Sequence, residues 1–253
     1  MDKPTDKDLE LFFEIHSGMP REGPGDKEST AKAFSLLTEL PANPRVLDIG
    51  CGPGKQTIDL ARLTDGEIVA VDNHVPYLDV LKRKVMDRGL EERIRVEFGD
   101  MFNLGYEARS FDLIWAEGSI YIFGFARGLQ SWKRLLKKGG YLAATELTWL
   151  KPDPPGELTK YWQVEYPPMT TTEKNLEVIG GCGYEVVGHF ALPESAWWDD
   201  YYDPQEKRLS LLREKYRNDD EALTLFAAEQ KEIDIYRRYS DFYGYVFYVC
   251  RSA

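Results

Sequence analysis

The sequence predicts an α/β fold, a doubly wound and mostly parallel sheet with helices over both faces. Three observations predict it. Short apolar segments alternate with amphipathic ones as far as residue 147. Several apolar segments end in an acid. The first of them runs into a turn with glycine at every second position.

The elements follow in chain order. Residues 29–40, STAKAFSLLTEL, open with hydroxyl residues able to cap a helix and carry Phe34, Leu36, Leu37 and Leu40 at helical spacing. In VLDIGCGPG (46–54), Val46, Leu47 and Ile49 suit a strand buried on both faces. Gly50, Gly52 and Gly54 then strip side chains from the turn. QTIDLARL reads as a helix and EIVAVD (67–72) as a second strand. YLDVLKRKVMDRGLEE (77–92) sets Leu78, Leu81 and Val85 on one helical face, with Gly89 as its stop. RIRVEFGD (93–100) and FDLIWAEG (111–118) read as strands three and four. LQSWKRLLKKGG (129–140) reads as a helix stopped by glycine, and YLAATEL (141–147) as strand five.

Residues 151–172 hold five prolines and show no helical period, which predicts an irregular excursion. TEKNLEVIGGCGYEVVGHFAL supplies a helix and a sixth strand, and YGYVFYVCR (243–251) a last one. Between these, helices are expected near 204–217 and 220–239, with Pro204 and Asp219 at their starts.

Composition limits the function. With 43% hydrophobic residues over 253 positions, the chain can bury a large core. Its 43 acidic and 32 basic residues leave a net charge of -11, which disfavours nucleic acid and anionic membrane as partners. Cys51, Cys182 and Cys250 are few and lack metal-ligand spacing, so no metal site and a reduced, cytoplasmic location are expected. The start, MDKPTDKDLE, has no apolar stretch of signal-peptide type.

Ligands of such sheets bind at the carboxyl ends of the strands. The glycine turn, Asp72 and Asp100 all fall there by register. A bare turn admits a ligand to main-chain N–H groups, Asp72 can accept from two ribose hydroxyls, and Asp100 from an adenine amino group with Met101 against the ring. Together these read as a nucleoside site. A dinucleotide fingerprint would need glycine where Lys55 stands, and a phosphate loop would need Ser or Thr where Gln56 stands. An NAD(P)-dependent oxidoreductase is further disfavoured by the lack of a Tyr-x-x-x-Lys or hydride-site histidine arrangement.

Taken together and in this order, VLDIGCGPG, VAVD, EFGDMF and FDLIWAEGSIYIFG resemble the class I S-adenosylmethionine-dependent methyltransferases, over residues 29–150. The resemblance implies a Rossmann-like, seven-stranded sheet with an antiparallel last strand, and a small-molecule type of enzyme. It implies S-adenosyl-L-methionine as cofactor and S-adenosyl-L-homocysteine as product. Asp48 and the turn from Gly50 to Gly54 would line the methionine and ribose part, Asp72 the ribose, and Asp100 with Met101 the adenine. Gln56, Asn73 and Glu117 join the implied cofactor contacts. Residues 1–28 would form a flap, with Arg21 a partner for the methionine carboxylate.

The family needs only a hairpin where residues 193–240 stand, so this helical insertion is the expected lid over a methyltransferase domain of 29–192 plus 241–253. Trp197, Trp198, Tyr201 and Tyr202 would either line a substrate wall or anchor that insertion. Glu117, ending strand four, is expected to orient the acceptor or take its proton, with Tyr121 shaping the same pocket; Glu146 and Trp149 are weaker candidates of this kind. DPPG (153–156) follows strand five, not strand four, so it is not the signature of nucleic-acid amino methyltransferases. The expected partner is a small-molecule acceptor, with a homodimer permitted. The competing reading is a non-catalytic nucleoside-binding or scaffold protein on the same fold.

Overall fold

The computed structural model describes residues 5–253. In chain order the strands are β1 Arg45–Ile49, β2 Glu67–Asp72, β3 Ile94–Phe98, β4 Phe111–Ala116, β5 Leu136–Trp149, β6 Thr170–Thr171, β7 Tyr184–Ala191 and β8 Tyr243–Ser252. The helices are α1 Asp6–His16, α2 Lys27–Ser35, α3 Lys55–Leu63, α4 Val75–Met86, α5 Ile120–Phe123, α6 Phe125–Trp132, α7 Gly156–Glu165, α8 Thr172–Gly181, α9 Ser195–Trp197, α10 Asp203–Lys215 and α11 Asp220–Tyr239.

Seven strands lie in the order β3-β2-β1-β4-β5-β8-β7, with the two-residue β6 paired to the end of β5. β8 runs antiparallel to both neighbours, and the other pairings are parallel. The sheet thus has the predicted form. Alternate residues of each central strand feed opposite sides. Val46, Ile68 and Trp115 enter one apolar cluster, while Leu47, Val69 and Ile114 enter another. Two covered faces explain why these strands read as unbroken apolar runs.

Strand order reverses between β1 and β4, and a crevice opens there at the carboxyl ends. Because Ile49 pairs with Val71, Gly50 and Asp72 emerge side by side.

Three local expectations are corrected. α2 is capped by Asp26, whose carboxylate accepts from Ser29 N at 2.5 Å, and not by the hydroxyls of Ser29 and Thr30. The helix expected over 129–140 ends at Trp132. A single 3-10 turn follows, and Leu136 already pairs with Phe111, ahead of a register shift that absorbs the two glycines. The proline-rich excursion contains α7, because its prolines bracket the helix without entering it.

Beyond β7 the chain forms α9, a π-helical turn over Trp198–Tyr202, and α10 and α11. Asp219 caps α11 by accepting from Ala222 N at 3.1 Å. Trp197 anchors these helices: it stacks on Tyr236 of α11 at 4.2 Å and meets Tyr245 of β8 at 5.2 Å. Trp198 lies further out, with the Arg237 guanidinium 4.8 Å above its ring. α1 reaches the same helices through Lys7 to Asp219 and Glu221, and through Glu14 to Lys215 and Tyr216. No helix of the described residues is long and apolar enough to cross a membrane.

Candidate functional site

The glycine turn is built to hold backbone where side chains cannot go. Gly50, Gly52 and Gly54 all have positive φ. A Cβ on Gly50 would fall 2.5 Å from that of Ser119, and one on Gly54 would fall inside the Leu81 side chain. Gly50 N and Cys51 N both donate to Val71 O, and Gln56 donates from its amide to Cys51 O at 3.0 Å. Gln56 therefore braces the turn from beneath.

Asp72 has a structural duty that the sequence did not indicate. One carboxylate oxygen accepts from Gly52 N at 2.9 Å and the other from His74 N at 2.8 Å. It ties the turn after β1 to the end of β2. Asp48 is wholly buried below the turn, where one oxygen accepts from Thr57 at 2.6 Å and the other has no partner. Burial pushes its carboxyl up to about 7.

Two cavities meet across this turn. The larger, about 260 Å³, is walled by Gly50, Gly52, Asp72, Asn73, Met101 and Tyr121 among others. α1 closes it from above with Phe12 and Phe13, and Phe13 stacks on His74 at 3.6 Å with the planes 7° apart. The smaller, about 40 Å³, lies on the other side of Gly50, Gly52 and Gly118, between Arg21, Gln56 and Glu117. Asp100 walls neither. It is exposed and accepts from Phe102 N at 2.9 Å, while its neighbours Gly99, Met101 and Phe102 line the larger cavity.

Glu117 lies beside the smaller cavity. Its carboxylate accepts from Arg21 Nη1 at 2.7 Å, from Thr30 Oγ1 at 3.0 Å and from Trp115 Nε1 at 3.0 Å, with its side chain 1% exposed. Three donors in a buried network fix the carboxylate beside the smaller cavity, so Glu117 serves as a clamp on Arg21. Arg21 keeps two nitrogens, Nε and Nη2, without hydrogen-bond partners, although Asp59 approaches Nη2 at 3.7 Å. Tyr121 does face the larger cavity.

Sequence reasoning missed Glu22. It joins His16, whose Nδ1 is 3.0 Å away, to Tyr77, whose hydroxyl donates at 2.8 Å, at the rim of the larger cavity. Nothing local marks it, because its partners come from α1 and α4. Among the described residues, no three His, Cys, Asp or Glu side chains are grouped to hold a metal ion.

Residues 46–140 match the family model described as a methyltransferase domain. Methyltransferase GfsG of Streptomyces halstedii is 32% identical over 132 residues, covering 49% of this chain and 48% of that protein. The 27-O-demethylrifamycin SV methyltransferase of Amycolatopsis mediterranei is 29% identical over 174 residues, covering 62% of this chain and 64% of that one. The chain thus spans about half the length of the first relative and under two thirds of the second. A solved S-adenosylmethionine-dependent methyltransferase from Geobacter sulfurreducens, in complex with S-adenosyl-L-homocysteine, matches with a TM-score of 0.82 at 20% identity, over 100% of this chain and 99% of that one. Residues 46–140 thus match a methyltransferase domain, and the chain as a whole shares the fold of that solved S-adenosylmethionine-dependent methyltransferase.

Proposed function

We propose that this protein transfers a methyl group from S-adenosylmethionine to a small-molecule acceptor. The observation that carries the reading is the pair of cavities joined over Gly50, Gly52 and Gly118. One has aromatic and thioether walls fit for a nucleoside, and the other has an arginine with two free buried nitrogens fit for the amino-acid tail.

The residues divide the work accordingly. Asp72 keeps lone pairs beyond those used by Gly52 and His74, and these can accept from the ribose hydroxyls. Asn73 stands beside it on the same wall. Met101, Phe102 and the stacked pair Phe13 and His74 would enclose the adenine. Arg21 would meet the methionine carboxylate, held in place by Glu117. When bound, the cofactor supplies an electrophilic methyl group on a sulfonium. The chain then needs chiefly to align the acceptor and exclude water, which α1 and the α10–α11 insertion can do.

The acidic surface supports a small acceptor over nucleic acid. Melting curves test the reading: S-adenosylhomocysteine should raise the Tm and NAD should not, since only a ligand of the native state stabilises it. With labelled S-adenosylmethionine, a metabolite pool should take up methyl groups while bulk RNA and DNA do not. Robust labelling of RNA would overturn the small-molecule reading.

A further inference from the structure

A second polar centre lies beyond the cofactor cavities, at the ends of β5 and β8. Glu146 of β5 is 3% exposed. One of its oxygens accepts from the Tyr166 hydroxyl at 2.5 Å, and the other, buried, has no hydrogen-bond partner. Tyr166 stands edge-on to Tyr121, their centroids 6.1 Å apart, and Tyr121 is itself a wall of the larger cavity. Glu146 therefore sits one phenol away from a wall of the larger cavity.

The charge balance there is one-sided. Burial holds the Glu146 carboxyl up to about 8 and that of Glu232 up to about 7, and when ionised both bear on the phenols of Tyr121 and Tyr245. No lysine or arginine among the described residues acts on Glu146 or Tyr121. A buried carboxylate oxygen with neither donor nor counter-charge is unfavourable unless a guest completes it. An anionic guest would add like charge. An alcohol would supply a donor without the charge. An ammonium supplies both, and phenol faces attract it.

We propose that the methyl acceptor is a small amine, bound as its ammonium by the free oxygen of Glu146 beside the rings of Tyr121 and Tyr166. This rests on the methyl-transfer reading above. The ammonium gives one proton to Glu146. The nitrogen lone pair then forms the new C–N bond as the S–CH3 bond breaks, its electron pair remaining on sulfur. The product leaves as the N-methylammonium, and Glu146 returns its proton to solvent. A carboxyl held near neutrality is suited to such exchange.

The test uses the full chain saturated with S-adenosylhomocysteine. Probes are matched triples of amine, alcohol and carboxylate on the same carbon skeleton, graded from ethylamine to phenethylamine in size, and binding is read by calorimetry. Amines should bind at least about tenfold more tightly than their alcohols, and carboxylates should not bind. With S-adenosylmethionine in place of the product, mass spectrometry should find a methyl group gained on an amine. Glu146→Gln keeps the shape and an acceptor for Tyr166, so it should lose the preference for amines while retaining S-adenosylhomocysteine affinity. The comparison of probes on the unaltered protein stands even if that variant fails to fold. Alcohols or carboxylates binding as well as amines, no amine binding, or a Glu146→Gln protein that keeps the preference would overturn the proposal. Failure to bind S-adenosylhomocysteine would instead overturn the methyl-transfer reading beneath it.

Discussion

Arg21 and Glu117 meet at 2.7 Å inside the protein, a guanidinium from the segment before α2 locked to a carboxylate just past β4. The contact closes the N-terminal segment over the smaller cavity. It also leaves each partner dependent on the other, because either alone would lose its nearest countercharge while remaining buried.

Removing one partner should therefore cost more than removing both. Glu117→Leu should lower unfolding free energy by about 3–5 kcal/mol, whereas Arg21→Met combined with Glu117→Leu should recover a large part of that loss. Urea denaturation of the single and double variants measures it. A double variant no more stable than Glu117→Leu would show that the charge pair is not what holds the segment.

The glycine turn gives a steric prediction. Gly54→Ala would place its Cβ inside the Leu81 side chain while keeping a φ of +82°. Overpacking costs about 1–3 kcal/mol and the left-handed backbone about 1–2 kcal/mol more. A thermal melt should fall accordingly, and Leu81→Ala in the same chain should relieve only the overpacking part.

The buried acids predict an unusual pH profile for the ligand-free protein. Asp48, Glu146 and Glu232 have carboxyls raised to about 7, about 8 and about 7, so between roughly pH 4.5 and 8 the folded state holds protons that the unfolded state has released. Stability from these groups is present at low pH and is lost as pH rises through the folded values. His74, pushed below 6.5 by burial, acts in the opposite sense, one partly buried group against these carboxyls and that of Glu229, which burial also raises. The Tm should fall from pH 5 to pH 8, and Asp48→Asn or Glu146→Gln should each flatten the slope. A Tm that rises steadily over this range would contradict the account.

Trp197 links α11 to the sheet through Tyr236 and Tyr245, whereas Trp198 meets Tyr202 and Tyr236, both outside the sheet. Trp197→Ala should cost about 3–5 kcal/mol, as for other buried aromatic truncations. Trp198→Ala should cost much less. Equal losses would mean that the insertion is anchored elsewhere.

Local chemistry decided how much of this was legible in the sequence. The run from Val46 to Gly54 could be read directly, since a strand buried on both faces and a turn closed to side chains each leave a mark on adjacent residues. Asp219 was legible as a cap for the same reason. Helix α7 was not, because prolines on both flanks imitate a structureless segment. The pairing of Arg21 with Glu117 was hidden as well: each charge is visible, but only the fold brings together residues so far apart in the chain. Asp72 was placed correctly at the end of β2, and its hold on Gly52 and His74 came into view only with the turn's geometry.

The central claim is that the two joined cavities form an S-adenosylmethionine site with Asp72 at its centre, and calorimetric titration with S-adenosylhomocysteine tests it most directly. The unaltered protein should bind one equivalent and show no binding of NAD. Asp72→Ala should weaken binding at least about tenfold, since a hydrogen bond to a charged group is worth about 1.5–3 kcal/mol, and the same variant without ligand should lose a similar amount of stability as Gly52 and His74 lose their acceptor. No binding of S-adenosylhomocysteine by the unaltered protein, or an affinity unchanged by Asp72→Ala, would contradict the account.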